Sequence, residues 1–300
     1  MPELPEVEVV RRGLDDCVVG RRIEVVRFLG GRVARRHHGG PADLARRLRG
    51  TVILAACRRG KYLWLVLEAP DGRCHGLVIH LGMSGQLLIK AAGEPRERHL
   101  HATFDFADDG PQLRFVDQRT FGSMALADLV DDPWSPPQRW GVPASVTHIA
   151  SDPGEPSFDQ RSVITRLKLR HTALKAALLD QGLISGIGNI YADEALWRAQ
   201  IHGERECAAL SKPALGRLVD HARAVMLEAT ALGGTSFDAL YVNVHGEGGF
   251  FTSALAVYGR AGRPCSRCGT LIERAAFMGR SSYFCPRCQP RPRPGRGRRR

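Results

Sequence analysis

The chain has 300 residues, of which 43% are hydrophobic and 25% are charged, and its formal net charge is +12. This length and composition allow two globular domains, each with a core of its own. No apolar run reaches the ~20 residues of a membrane span and no signal peptide is present, so we expect an intracellular protein without membrane contact. The positive charge favours a polyanionic partner.

The chain begins with Met1, Pro2 and Glu3, and an apolar pattern typical of a helix follows over residues 6–17. If Met1 is removed, Pro2 carries a terminal secondary amine, and α-amino groups titrate near pKa ~7.7–8.0. Such an amine can attack a sugar carbon and form an iminium, with Glu3 and Glu6 as candidate proton donors and acceptors. Alternatively, Pro5 only marks the start of the helix, and glutamates are favourable there because the helix dipole is positive at its N-terminus.

Residues from about 51 to 126 contain short alternating segments that predict strands: 62–67, 76–79, 101–106 and 112–115. Turn residues separate these segments, and no helical segment alternates with them. The pattern predicts an antiparallel β-sandwich or a flattened barrel. The proline-rich residues that follow, up to about 157, are the expected interdomain segment.

From about residue 160 the apolar spacing becomes helical. Leucines between Leu167 and Leu179 predict one helix, residues 191–199 a second, and a third starts near Ser211 and ends at Gly233. Before the second helix, two glycines precede Asn189, which is a favourable N-cap residue. This turn is either a plain connection between helices or a site for a DNA phosphate.

Four turn or loop segments carry further candidates. Lys61 is either a solvated turn charge or a phosphate contact that also assists the amine. Met83 is either a core residue or a wedge that fills the gap left by an extruded base. Arg119 could hydrogen-bond a base that has lost its partner, and Phe121 could stack on a neighbouring base. Arg280 is either a surface charge or a residue that reaches into a DNA groove.

Four of the eight cysteines form two CxxC pairs that are separated by sixteen residues: Cys265, Cys268, Cys285 and Cys288. This spacing predicts one structural zinc ion in a short hairpin, whereas a redox pair or disulfides explain two CxxC pairs poorly. We expect the other four cysteines to be reduced and packed as small apolar residues.

Six motifs occur together along the chain: PELPEVE, RGKYL, HLGMSG, DQRTFG, GIGNIYADE and the two CxxC pairs with GRSSYF. In their order the chain resembles bacterial formamidopyrimidine-DNA glycosylases, over about residues 2–289. The resemblance implies an α+β fold with an N-terminal antiparallel β-sandwich, a C-terminal helix-two-turns-helix domain and a four-cysteine zinc hairpin. The implied protein is a cytoplasmic, bacterial and DNA-associated monomer.

The implied activity is that of a bifunctional enzyme, which excises 8-oxoguanine and formamidopyrimidines from damaged double-stranded DNA and then cuts the strand by β,δ-elimination. The resemblance assigns catalytic roles to Pro2 as nucleophile, Glu3 as acid and base, Lys61 and Arg280. It assigns DNA-contacting roles to a larger set: Glu6, Met83, His99, Arg119, Phe121, Lys175 and Asn189. Many family members have a second arginine at Thr120 and a lysine at His171, and this chain departs from both.

The expected domains are a catalytic β-sandwich (1–131), an interdomain segment (132–157), a helix-two-turns-helix domain with the lesion loop (158–250), a zinc finger (251–290) and a disordered basic tail (291–300). The tail contains six arginines and supplies half of the net charge. Two alternatives stay open. One is an enzyme similar to endonuclease VIII that excises oxidised pyrimidines, and the other is a DNA-binding zinc protein without catalysis.

Overall fold

A computed structural model describes residues 1–136, 139–236 and 240–292. The chain divides into two compact units. The first contains residues 1–150 and 228–253, and the second contains residues 151–227 and those from 254 onward. The expected tail lies outside the described residues except for Arg291 and Pro292, and Phe237, Asp238 and Ala239 of the expected lesion loop also lie outside them.

The first unit contains two helices, α1 (Leu4–Val18) and α2 (Gly40–Leu48). Its strands are β1 (Ile23–Phe28), β2 (Val52–Arg59), β3 (Tyr62–Glu68), β4 (Cys74–His80), β5 (Gly85–Lys90), β6 (Leu100–Phe106), β7 (Gln112–Asp117), β8 (Ser123–Val130) and β9 (Val142–Pro143). They form a four-stranded sheet in the order β1-β6-β7-β5 and a five-stranded sheet in the order β2-β3-β4-β8-β9. Every pairing between these strands is antiparallel.

The two sheets share one hydrophobic core, to which α1 also contributes. Leu63 of the five-stranded sheet and Phe104 of the four-stranded sheet both lie in it and are fully buried. Along α1, Val7, Val10 and Leu14 recur every three or four residues and are buried on one face of the helix. The expected antiparallel sandwich is confirmed.

Alternate residues of β3 pack on opposite faces of the five-stranded sheet, as the two-residue period of a strand requires. Leu63 and Leu65 point into the shared core, whereas Trp64 joins a second cluster with Val142 and Val146. Residues 142–149, which belong to the expected interdomain segment, therefore pack on the first unit. Residues 137 and 138 of that segment lie outside the described residues.

The second unit contains α3 (Gln160–Lys168), α4 (Leu174–Leu178), α5 (Asn189–Ala199), most of α6 (Lys212–Ala231), and a hairpin of β10 (Glu273–Phe277) and β11 (Arg280–Phe284). No helix in the described residues combines the length and the apolar composition that a membrane crossing needs. Helices and antiparallel strands occur in separate stretches of the chain, which confirms the α+β class.

The expectation of one helix across the leucines from Leu167 to Leu179 was wrong, because α3 and α4 are separate helices. Between them the backbone pairs with residues further along the chain: Leu174 donates to the Arg205 carbonyl at 2.8 Å, and the Thr172 carbonyl accepts from Cys207 at 3.1 Å. The leucine intervals of two and five residues also do not match a helical face, and Leu169 is 76% exposed.

The expected N-cap of α5 also needs correction. Gly188 occupies the N-cap position with an extended backbone, and Asn189 is the first residue of the helix. The Asn189 side chain donates to the Ser281 carbonyl at 2.8 Å instead of capping its own helix. This amide therefore links the start of α5 to β11.

Candidate catalytic and DNA-contacting sites

The start of the chain is a covered position on the first unit. Pro2 is buried, Glu3 is only 3% exposed, and the terminal amine of Met1 donates to the Tyr241 hydroxyl. Burial lowers the pKa of the Met1 amine, and the charges of Lys61 and Arg119 lower it further, against the carboxylates of Glu3 and Glu6. Since these charges act on the same amine, the fold gathers the predicted acid and two predicted cations around the chain terminus.

Glu6 connects this terminus to a distant part of the chain. One carboxylate oxygen accepts the Glu3 amide at 2.9 Å, and the other accepts the amide and the hydroxyl of Thr235 at 2.7 and 2.8 Å. Both Glu6 and Thr235 are buried. The loop after α6 is thereby held against the first turn of α1 within the first unit, a contact that the sequence did not predict.

Lys61 lies in the turn between β2 and β3, but it is not a solvated turn charge, because only 8% of its surface is exposed. Gly60 before it has φ +55°, which favours glycine. On the other side of Gly60, Arg59 donates two hydrogen bonds to Asp132, at 2.7 and 2.5 Å, and both side chains are buried. This bidentate pair anchors the turn that carries Lys61.

Met83 is half-buried in the loop between β4 and β5. The loop is held by His80, whose Nδ1 accepts the Gly82 amide at 3.0 Å. Burial, together with the charges of Arg36, Lys61 and Arg35, lowers the pKa of His80 to about 4, so its imidazole is neutral near pH 7. Sequence reasoning missed His80, although it stands at the first position of the HLGMSG motif.

Arg119 and Phe121 lie in the loop between β7 and β8, which we call the 119–122 loop. Both are exposed, and the Arg119 guanidinium carbon lies 5.3 Å from the centroid of the Phe121 ring. Such an exposed apolar ring beside a cation can stack on nucleic-acid bases. His99 is half-buried just before β6, and its carbonyl accepts the Asp117 amide at 2.9 Å.

In the second unit, the structure brings Asn189 close to Arg280. Arg280 is the exposed first residue of β11, directly after the hairpin tip at Met278 and Gly279, both of which have positive φ. The Asn189 amide bonds the carbonyl of Ser281, the residue next to Arg280. One hydrogen bond to the neighbouring residue thus holds Asn189, a predicted DNA contact, beside Arg280, a predicted catalytic residue.

Lys175, a predicted DNA contact, is covered by its own unit in this structure. It lies on α4, the second helix of its unit, and is 0% exposed. Its ammonium lies 2.7 Å from the Asp193 carboxylate and 5.3 Å from the centre of the Phe277 ring. A covered, paired lysine can position other groups, and the expected contact between Lys175 and DNA stays a prediction.

The four paired cysteines converge beside the β10–β11 hairpin, and their sulfur atoms all lie within 4.8 Å of one another. Cys268 and Cys285 are 3.5 Å apart, and Cys265 and Cys288 are 4.0 Å apart. A tetrahedral zinc ion with Zn–S bonds near 2.3 Å separates its sulfur ligands by about 3.8 Å. All eight cysteines, which lie within the described ranges, are free thiols. The donor set therefore fits one zinc ion.

Comparison with known families gives three matches along the chain. The N-terminal domain of formamidopyrimidine-DNA glycosylase matches residues 1–124, and the H2TH domain of the same enzyme matches residues 149–240. A zinc finger found in FPG and IleRS matches residues 262–291. These matches, with the converging sulfurs, confirm the four-cysteine zinc site.

Similar proteins cover nearly the whole chain. A formamidopyrimidine-DNA glycosylase of Kineococcus radiotolerans is 55% identical over 304 residues, which is 98% of this chain and 99% of the relative. The solved structure of MutM in complex with DNA containing carbocyclic 8-oxo-G has a TM-score of 0.82 and 33% identity. A complex of Lactococcus lactis Fpg with DNA containing an oxidised pyrimidine has the same TM-score and identity. Both structures match 97% of this chain and 100% of their own.

Proposed function

The chain belongs to the formamidopyrimidine-DNA glycosylase family, and we propose that it removes oxidised purines from double-stranded DNA and then cuts the strand at the abasic site. One observation carries this proposal at the level of residues: the carboxylates of Glu3 and Glu6 and the cations of Lys61 and Arg119 act on the terminal amine of Met1, which directly precedes Pro2. Burial lowers the pKa of the Met1 amine, and we expect the same surroundings to act on the Pro2 amine once Met1 is removed, so that more of that amine is unprotonated and nucleophilic near neutral pH.

The nucleophile is the secondary amine of Pro2 after removal of Met1. Its lone pair forms a bond to C1′ of the damaged nucleoside while the glycosidic bond breaks; the base leaves with the electron pair of the broken bond and takes up the proton that the Pro2 nitrogen loses. Glu3 donates a proton to the sugar ring oxygen, so that the ring opens and a cationic iminium links Pro2 to C1′. Loss of a proton from C2′ then expels the 3′ phosphate, and a second elimination expels the 5′ phosphate.

The remaining residues bind and position the DNA. Lys61 contacts a phosphate and assists the elimination, and Asn189 and Arg280 grip phosphates around the extruded nucleotide, as phosphate contacts do in DNA-binding proteins. Met83 and Phe121 fill the stack that the extruded base has left. Arg119 faces the cytosine that has lost its partner, which is the reason for a double-stranded substrate.

The zinc ion has a structural role, because four cysteine ligands leave no open position for chemistry. It fixes the hairpin that carries Arg280. We also propose that the protein acts as a monomer in the bacterial cytoplasm.

Borohydride trapping tests the nucleophile. Reduction converts the iminium into a covalent protein–DNA adduct, so protein with a mass-confirmed Pro2 terminus should give an adduct with a duplex that contains 8-oxoguanine opposite cytosine. Protein that retains an N-terminal extension and the Pro2→Gly variant should lose most of it. Binding without any adduct from the correctly trimmed protein would instead favour the non-catalytic DNA-binding protein.

The endonuclease VIII-like alternative is tested by substrate preference. Since one structural relative was solved with an oxidised pyrimidine, lesion range needs a direct comparison. We expect faster cleavage of 8-oxoguanine opposite cytosine than of thymine glycol opposite adenine in matched duplexes, and the reverse order would overturn the assignment to purines. The Glu3→Gln variant should lose base excision and keep DNA binding.

A further inference from the structure

The loops that carry Met83 and Arg119 are joined by one buried carboxylate. Asp117 is 0% exposed at the end of β7. One of its oxygens accepts the Ser84 hydroxyl at 2.5 Å and the Arg119 amide at 3.2 Å, and the other accepts the Gly122 amide at 2.7 Å. The Ser84 hydroxyl oxygen also accepts the Arg119 amide, at 2.9 Å. Hence the residue after Met83 and the backbone of Arg119 share the same hydrogen-bond network.

The two loops also approach each other too closely for side chains. A Cβ on Gly82 would lie 2.5 Å from the carbonyl carbon of Phe121 and 2.6 Å from the Gly122 nitrogen, and Gly82 has φ +66°. Real Cβ atoms essentially never approach other heavy atoms so closely. Glycine is therefore required at residue 82, and the Met83 loop packs directly on the 119–122 loop.

Arg35 binds the other edge of the 119–122 loop. Its guanidinium donates to the carbonyls of Phe121 and Gly122, at 2.7 and 2.5 Å. Asp117 thus accepts from amides of this loop, while Arg35 donates to its carbonyls. Charged partners make these hydrogen bonds stronger than neutral ones.

The backbone of Thr120 shows the effect of this double restraint. Thr120 has φ +58°, a left-handed conformation that is a genuine outlier for a β-branched residue. Strained residues of this kind persist only where the surrounding structure over-determines them, and they cluster at functional sites. The strain at Thr120 therefore indicates that the 119–122 loop is held in one conformation.

We propose that Asp117 is a positioning residue that holds the Met83 loop and the 119–122 loop together as one rigid unit. The rigidity of this unit sets the preference for cytosine opposite the lesion. The inference rests on the proposed function, in which Met83 and Phe121 fill the vacated stack and Arg119 faces the opposite cytosine. Because Asp117 is fully buried, we do not expect its side chain to touch DNA or the reacting atoms. It acts through Ser84, Arg119 and Gly122.

The Asp117→Asn variant tests the proposal, because one carboxylate oxygen becomes an NH2 group that faces a hydrogen-bond donor. Ser84→Ala removes only the hydroxyl that joins the two loops. The matched control is Leu113→Ala, a fully buried core position on β7, the same strand as Asp117. Melting temperatures of all three variants are measured first, and assays are run at a temperature where each is folded.

Three single-turnover rates are then compared with those of the wild-type protein. They are the excision of 8-oxoguanine opposite cytosine, its excision opposite adenine, and cleavage at a preformed abasic site in a single strand. We expect Asp117→Asn to lower excision opposite cytosine about tenfold, since small misplacements of positioning groups cost rates of this order or more. The cytosine-to-adenine ratio should fall with it, while single-strand cleavage should stay within about twofold of wild type because no opposite base is read. Ser84→Ala should shift the ratio in the same direction by less.

An unchanged cytosine-to-adenine ratio in Asp117→Asn would overturn the proposal, and so would an equal loss of that ratio in Leu113→Ala. The second result would show that general destabilisation explains the effect. Failure of the proposed function is seen separately, since it would leave the wild-type protein itself without excision. The two failures are therefore distinguishable within one experiment.

Discussion

The ammonium of Lys175 lies 2.7 Å from the Asp193 carboxylate, and neither side chain is more than 1% exposed. The same carboxylate accepts the Tyr283 amide at 2.9 Å and the Ser282 hydroxyl at 3.1 Å. This network joins α4 and α5 to β11, the strand that begins with Arg280. Lys175 thereby acts on the zinc hairpin from within its own unit.

We expect Lys175→Met to destabilise the second unit and to loosen the hairpin. Loss of one partner from a buried ion pair leaves an uncompensated charge, which costs about 3 kcal/mol. Zinc transfer to a chromogenic chelator should therefore be faster than in the wild-type protein, and the free energy of unfolding should be lower. Lys212→Met, at an exposed position at the start of α6, is the control and should change neither quantity. Equal zinc release from both variants would contradict this role of Lys175.

We expect Glu6→Gln to lower the free energy of unfolding by about 2 kcal/mol, because charge-assisted hydrogen bonds are lost and an NH2 group faces a donor. Thr235→Val removes only the hydroxyl and should cost about 1 kcal/mol. Since both changes act on the same contact, the double variant should lose less than the sum of the single losses. Urea unfolding measures all three. If the losses of the two single variants simply added in the double variant, that result would contradict the contact. The control is Glu24→Gln on the exposed side of β1, which should not change the free energy of unfolding.

His80 makes stability depend on pH. Its folded-state pKa of about 4 lies below the ordinary histidine value of about 6.5. Between these values the unfolded chain binds a proton that the folded protein does not, so stability falls as the pH decreases through this window. His80→Asn keeps an acceptor for the Gly82 amide and has no titratable group. When the pH is lowered from 8 to 5, the free energy of unfolding of the variant should therefore rise by about 2 kcal/mol relative to that of the wild-type protein.

Urea unfolding at pH 8, 6.5 and 5 measures this shift. Other titrating groups are common to both proteins and cancel in the difference. A stability difference that stays constant over this range would show that His80 is not held neutral by the fold.

Relief of backbone strain at Thr120 should stabilise the first unit. Asparagine tolerates positive φ far better than a β-branched residue, so Thr120→Asn should raise the free energy of unfolding by about 1 kcal/mol. The control is Thr147→Asn, where φ is −57° and no strain exists to relieve. Thermal unfolding of both variants is the measurement, and a gain at both positions, or at neither, would count against strain at Thr120.

The local sequence pattern was enough to predict the elements whose conformation depends on residues that are close in sequence. The apolar spacing of α1, the alternation of β3 and the two CxxC pairs each determine an element from within a short stretch of chain, because one periodicity or one ligand spacing leaves few conformations. The six motifs, in their order along the chain, also indicated the family. The prediction of a single helix up to Leu179 was wrong where the backbone between α3 and α4 pairs with a segment about 35 residues later, since local periodicity does not detect such pairing.

By itself, the sequence determined which residue types are present for the chemistry: a proline at residue 2, a glutamate beside it, a lysine at residue 61 and four cysteines at zinc spacing. Only the tertiary structure decided what surrounds them. Thr235 meets Glu6 across 229 positions of sequence, Lys61 and Lys175 are buried, and Asp117 joins two loops. Burial and long-range hydrogen bonds arise when distant segments pack together, and they determine pKa values and rigidity, which residue identity alone does not specify.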